Sequence, residues 1–194
     1  MVYSLLFSLP GTPVLFYGEE IGMGENLAID GRLAVRTPMQ WTAERNGGFS
    51  RAAPSRLRRP MTEGGFGPEH VNVASQRDDP ESLLAFIRRL VRRYRESPEL
   101  GWADFSVLDQ PHRHVLGHEC AWDDRRIVAV HNLSPESCSV PLTLNDCDSS
   151  FYLLDLLQGW DHLEVDEHGR VEVALEGYGY RWLRLMPHDS RRLA

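Results

Sequence analysis

The chain has 194 residues, 42% of them hydrophobic and 25% charged, enough to bury a core and to form one or two small domains. Its net charge of −7 excludes the concentrated positive field that nucleic acid or an anionic membrane would require. All 21 basic residues are arginine, a uniformity that reflects coding bias more than a demand for planar forks.

Residues 2–9 are apolar and can be helical. They lack the basic start and cleavage site of a signal peptide and are far too short to span a bilayer, so they read as the end of a buried helix. Pro10-Gly11 stops that helix before Thr12–Tyr17, an apolar run bounded by Gly18 that reads as a strand. Val14, Leu15, Phe16 and Tyr17 do not alternate with polar residues, so the strand is expected to be covered on both faces, as in a parallel sheet wrapped by helices. Such a strand needs neighbours on both sides to satisfy its backbone.

From Met23 to Arg77 the sequence is rich in Gly, Pro and Arg without a sustained period, which predicts a long irregular excursion. Asp79-Pro80-Glu81-Ser82 then opens a helix, with an acidic N-cap and proline in the first turn. Leu83, Leu84, Ile87, Leu90, Val91 and Tyr94 follow at helical spacing, and Arg88, Arg89, Arg92, Arg93 and Arg95 take the other face. This arginine face reads as solvated or interdomain, not as a nucleic-acid surface. Ser97-Pro98 ends the helix.

Beyond about Gly101, short alternating runs are separated by turn residues, at 104–109, 114–122, 126–133, 137–144, 150–156, 170–175 and 178–186. Asp123-Asp124 marks a hairpin turn. Regular strand spacing without helices predicts an antiparallel sandwich. The expected domains are therefore 1–99, 100–187 and a tail at 188–194. Cys120, Cys138 and Cys147 are an odd number without a close CxxC spacing. They indicate neither a disulfide framework nor a zinc knuckle, and reduced thiols in a cytoplasm are the expectation.

Two motifs carry the functional signal: Gly11-Thr-Pro-Val-Leu-Phe-Tyr-Gly-Glu-Glu-Ile-Gly22 and Arg36-Thr-Pro-Met-Gln-Trp41. Together they resemble the last barrel strand and following loop of the α-amylase superfamily, glycoside hydrolase family 13, especially its trehalose synthase and oligo-1,6-glucosidase branches. Asn46-Gly-Gly-Phe-Ser50, Val71-Asn-Val-Ala74 and Asp79-Pro-Glu-Ser-Leu-Leu84 continue the likeness. Asp30-Gly-Arg-Leu-Ala-Val35 departs from the Gly-Asp-Arg-x-Gly-Val pattern usual in trehalose synthases.

The resemblance implies an α/β plus all-β architecture: the C-terminal end of a (β/α)8 barrel, with its last strand and helix, followed by an antiparallel β-sandwich. It also implies a retaining mechanism on α-linked glucose disaccharides or oligosaccharides, which needs two carboxyl groups across the scissile bond. In the family these come from the fourth and fifth strands, with a third acid after the seventh. None of those strands is in this sequence, so no catalytic residue is assigned and the chain alone is expected to be inactive, its partner being the missing N-terminal barrel segment.

Arg36 is the one substrate-binding candidate, since the family's arginine at this motif lies where the non-reducing glucose sits and a guanidinium fork grips hydroxyls well. Its bland alternative is a loop pin through an acidic partner. Trp41 reads as a packed anchor of the loop. Glu19 and Glu20 point in opposite directions if the chain is extended, which spoils them as a catalytic pair; one supports the site and the other is solvated.

No cofactor and no metal is expected. His112, His114, His118 and Cys120 share one strand face by parity, but at ~3.3 Å per residue His114 and His118 lie roughly 13 Å apart, too far for one ion. A half-exposed sandwich strand explains them better. The functional expectation is the C-terminal portion of a trehalose synthase-like enzyme. The alternatives are a non-catalytic carbohydrate-binding or structural sandwich module, and a decayed or mis-started frame without a function of its own.

Overall fold

The computed structural model describes residues 1–159 and 161–189; of the expected tail, residues 190–194 lie outside the described residues. The chain forms two compact units, one of Met1–Pro13 with Leu90–Ala194 and one of Val14–Arg89.

The first unit is dominated by eight strands: β1 (Asp104–Val107), β2 (Val115–Trp122), β3 (Arg125–Asn132), β4 (Cys138–Thr143), β5 (Phe151–Asp155), β6 (His162–Glu164), β7 (Arg170–Leu175) and β8 (Tyr180–Pro187). They make a six-stranded sheet in the order β1-β2-β3-β8-β5-β6 and a two-stranded sheet, β4-β7, all antiparallel. Alternation fixes which face is buried: along β7, Val171, Val173 and Leu175 point inward while Arg170, Glu172 and Ala174 stay exposed. These side chains meet Val128, Val130, Leu153 and Leu183 of the larger sheet in one core, so the two sheets form a sandwich. The β2–β3 hairpin closes at Asp123-Asp124 as the sequence predicts, with Trp122 opposite Arg125. The short strand β6, absent from the sequence reading, pairs with β5.

Helix α1 (Val2–Ser8) belongs to this unit and packs on its larger sheet. The indole N–H of Trp182 donates to Ser4 Oγ at 3.0 Å, and the same hydroxyl lies 3.0 Å from His131 Nε2. His118 Nε2 lies 2.8 Å from the Ser8 carbonyl oxygen. Ser4, Ser8, His118, His131 and Trp182 are all fully buried. Helix α4 (Glu99–Trp102) precedes β1.

The second unit is largely loop, as its composition predicts. Between Val14 and Arg89 the regular elements are single 3-10 turns, the short helix α2 (Val73–Gln76) and the first part of α3 (Leu83–Arg95). The Ser82 hydroxyl, not Asp79, caps α3 by accepting from Ala85 N–H, while Asp79 closes a local turn onto Glu81 N–H. The helix therefore starts later than the acidic cluster suggests, because Pro80 holds the chain in a turn first. Ile87 and Leu90 are buried and Arg88, Arg89, Arg92 and Arg95 exposed, the division the spacing predicts. Thr12–Tyr17 pairs with no strand among the described residues, and Val14 is 78% exposed.

Candidate functional site

The Val14–Arg89 unit contains a cleft of about 490 Å³, within the size range of small-molecule sites. Tyr17, Glu20, Arg36, Trp41, Phe49 and Arg59 are among the residues that line it. The fold brings them together through a few local devices.

The first is the turn after Tyr17. Gly18 sits at φ 93°, and a Cβ there would come within 2.6 Å of Met23 Sδ, so only glycine fits. The chain turns into a 3-10 segment, Glu19–Ile21, and the Gly18 N–H donates to Glu20 Oε2 at 2.7 Å. Glu19 and Glu20 are thus in a turn, not on extended chain, and of the two only Glu20 lines the cleft. Both are half-buried. Tyr17 donates its hydroxyl to the Thr37 carbonyl at 3.0 Å, fastening this turn to the arginine motif.

Within that motif the buried places go to Thr37, Met39 and Gln40. Gln40 Nε2 donates to the carbonyls of Phe66 at 3.1 Å and Val71 at 2.5 Å, and the Gln40 backbone carbonyl accepts from Val73 N–H. With Gln40 pinned inward, Arg36 and Trp41 are left outward. Trp41 is 48% exposed and lines the cleft, so it is not the packed anchor expected; Gln40 serves that purpose. A left-handed pair follows, Asn46 at φ 57° and Gly47 at φ 59°. It is held because Asn46 Nδ2 donates to the Ser50 and Ala52 carbonyls and Trp41 N–H donates to the Gly47 carbonyl. That loop carries Phe49 to the cleft, 54% exposed.

Arg36 is exposed, and among the described residues its guanidinium forms no ion pair or side-chain hydrogen bond. The loop-pin alternative therefore has no acidic partner here. Arg58 and Arg59, not singled out by sequence, also line the cleft. They come from an aperiodic stretch just beyond the Pro54–Arg56 turn, where no spacing marks them.

The sandwich unit has a second cavity of about 540 Å³, bordered by Gln158, Glu176, Tyr180 and Arg181 among others. Arg181 is held by Asp155, Nε to Oδ2 2.7 Å.

The four residues that share parity near β2 separate into two groups. The rings of His112 and His114 lie 5.6 Å apart, both half-buried. His118 and Cys120 are buried under α1, which corrects the half-exposed strand expected of them. The His118 ring stacks on His131 at 5.9 Å and 2°. Burial holds both histidines below the ordinary value, His131 down to about 3, with His118 and the amino terminus adding repulsion. Burial likewise pushes the Cys120 thiol up to about 11. Among the described residues no group of three His, Cys, Asp or Glu could hold a metal ion.

Comparison with known proteins sets this geometry in a family. Residues 1–102 match the alpha amylase catalytic domain, and residues 125–184 match the sucrose hydrolase-like C-terminal domain. The chain is 38% identical over 192 residues to the trehalose synthase/amylase TreS of Mycobacterium tuberculosis, covering 96% of this chain and 31% of that protein. Its identity to the trehalose synthase of a Pimelobacter species is also 38% over 192 residues, covering 96% and 33%. The chain thus spans about a third of the length of the curated relatives it matches. Among solved structures, the trehalulose synthase MutB of Pseudomonas mesoacidophila superposes with a TM-score of 0.70 over 95% of this chain and 37% of that one, at 20% identity. The fold is a barrel portion followed by a β-sandwich. Because the alpha amylase match extends over more than half of its residues, the chain belongs to the alpha-amylase family, glycoside hydrolase family 13.

Proposed function

We propose that this chain supplies the substrate-gripping side of a trehalose synthase-like enzyme that transfers or hydrolyses an α-glucosyl unit of maltose-type substrates by a retaining mechanism. Arg36 would hold the hydroxyls of the non-reducing glucose, and Trp41 would offer its exposed face to the ring. The nucleophile and the acid/base would come from barrel strands outside this sequence, since double displacement needs two facing carboxyl groups and, among the described residues, the cleft is lined by one, Glu20. The chain alone would therefore bind without turning over. Reduced thiols, with Cys120, Cys138 and Cys147 all free, agree with a cytoplasmic setting. Among the described residues no helix is long and apolar enough to cross a membrane.

The observation that carries this reading is an arginine of the family motif that has no ionic partner among the described residues, at the wall of a cleft beside exposed aromatic rings. Saturation-transfer NMR with maltose tests it. The expected result is a maltose signal that disappears in Arg36→Ala, together with no glucose or trehalose formed. Unchanged maltose binding in Arg36→Ala, or product from the purified chain, would overturn it.

A second reading, a non-catalytic carbohydrate module, draws on the sandwich cavity beside Tyr180 and Gln158. It predicts that Tyr180→Ala, and not Trp41→Ala, removes the maltose signal.

A further inference from the structure

We infer that α1 is an acid-released latch: the buried pair His118 and His131 stays neutral while α1 covers it, and proton uptake by the pair frees the helix from the sheet while the sandwich stays folded. The latch lies wholly within the sandwich unit and uses no residue of the cleft.

Hydrogen bonds fix where each ring carries its proton. The indole N–H of Trp182 can only donate, so Ser4 Oγ accepts from it and gives its own proton to His131 Nε2. That nitrogen therefore accepts, and the His131 proton sits on Nδ1. His118 Nε2 faces the Ser8 carbonyl oxygen, which can only accept, so here the proton sits on Nε2 and Nδ1 is bare. The two stacked rings thus hold opposite tautomers. Both Nδ1 atoms are buried without a hydrogen-bond partner among the described residues.

A second proton has no place in this arrangement. On His131 it would set two donors, imidazole and indole, on Ser4 Oγ; on His118 it would sit at Nδ1 with nothing to accept it. The rings are parallel and 5.9 Å apart, so charge on one repels charge on the other. Among the described residues the neighbours supply no free counter-charge. β1 presents the Phe105 ring to His118, and β8 presents the Tyr180 ring to His131. On β2 the Cys120 thiol is kept protonated by burial, and Glu119 is paired with Arg126. On α4 Glu99 is paired with Arg184, and the amino terminus at the start of α1 adds positive charge.

α1 covers both Nε2 atoms, through Ser4 and Ser8, and is itself lightly held. Of its seven residues Ser4, Phe7 and Ser8 are the buried ones, no side chain caps its start, and its first turn has no acidic residue. A helix of this length does not persist in water away from its seat. The sandwich core lies on the opposite face of the sheet, where Val128, Val130, Leu153 and Leu183 meet β4 and β7, and it includes no residue of α1. Release of α1 therefore wets both imidazoles and leaves that core in place. Below about pH 6.5 a wetted imidazole takes up the proton that the buried ring refuses, so His131 alone raises the fraction of released α1 about tenfold per pH unit, and His118 acts in the same direction.

Hydrogen exchange of the full chain between pH 7.5 and 4.5, corrected for the intrinsic rate at each pH, tests this. The Leu5 and Leu9 amides and the Trp182 indole N–H should lose protection about tenfold per pH unit below 6.5, while amides of β3 and β7 keep theirs. His131→Gln, which keeps a polar side chain without a titrating ring, should hold α1 in place at pH 7.5 and remove most of the loss at pH 5. Nitrogen spectra of the imidazoles in the unaltered chain should show His131 protonated at Nδ1 and His118 at Nε2, a result that needs no variant to fold.

Protection of α1 that does not change with pH, loss of α1 and β3 protection together, an unaltered pH dependence in His131→Gln, or the same tautomer on both rings would each overturn the inference.

Discussion

The two units are held together by different means. The sandwich has a continuous apolar core, with Val128, Val130, Val140, Leu153, Val173 and Leu183 at full burial and ladders on every strand. The Val14–Arg89 unit buries little more than Ile21, Met39 and Val73 together, and takes its form from polar side chains that peg backbone carbonyls and amides, chiefly Gln40, Asn46 and Asn72. A packed core spreads one loss over many contacts and unfolds as a whole, whereas a pegged loop can open where one peg is removed. The candidate ligand residues belong to the second kind of region, where rings can stay exposed because they do not hold the fold together.

The sharpest way to break this comparison is a pair of tryptophan truncations. Trp182→Ala removes a fully buried indole and the donor that Ser4 accepts, and should cost about 3–5 kcal/mol in a urea unfolding experiment that follows the sandwich. Trp41→Ala should change the same measurement by no more than ~0.5 kcal/mol. Equal losses would show that the two regions are not stabilised differently.

The next effect is on pH. The unfolded value of a histidine is near 6.5, and His131 in the native protein is held at about 3, with His118 lowered in the same direction. Between those values the unfolded chain takes up a proton that the buried ring refuses. Stability is therefore complete above about pH 6.5 and falls as the pH drops towards 3, with a limiting slope of about 1.4 kcal/mol per pH unit for His131. Urea midpoints between pH 7.5 and 5 should decline accordingly, and His131→Phe should flatten the decline.

A smaller, local effect is expected from Gln40→Ala. It strands the carbonyls of Phe66 and Val71, and the loss of about 1–2 kcal/mol should appear as faster hydrogen exchange at Val73 and Ala74, without a shift in the sandwich transition. The smallest concerns Asp123, at φ 53° in the hairpin turn, where Asp123→Gly should raise the unfolding free energy measured in urea by about 0.5 kcal/mol.

What could be read from sequence follows the same division. The strands of the sandwich were legible because residues such as those of β7 alternate strictly between turn residues, whereas the three residues of β6 are too few to show a period. The burial of His118 was not legible, since it depends on Ser8, 110 positions away in sequence. In the cleft, Arg36 was found through its motif. Arg58 and Arg59 stand in no motif, and only the folded turn reveals which cleft they border. Trp41 was misread because its exposure depends on Gln40 finding the Phe66 and Val71 carbonyls, contacts that local spacing does not encode.

One hydroxyl has a consequence for synthesis. Ser4 and Trp182 are 178 positions apart, and the contact between them joins α1 to the last strand of the sheet. On a ribosome adding about 5–20 residues per second, the seven-residue helix would wait roughly ten to forty seconds for its seat to be made. Docking of α1 is therefore a late step, completed only after Trp182 has been translated.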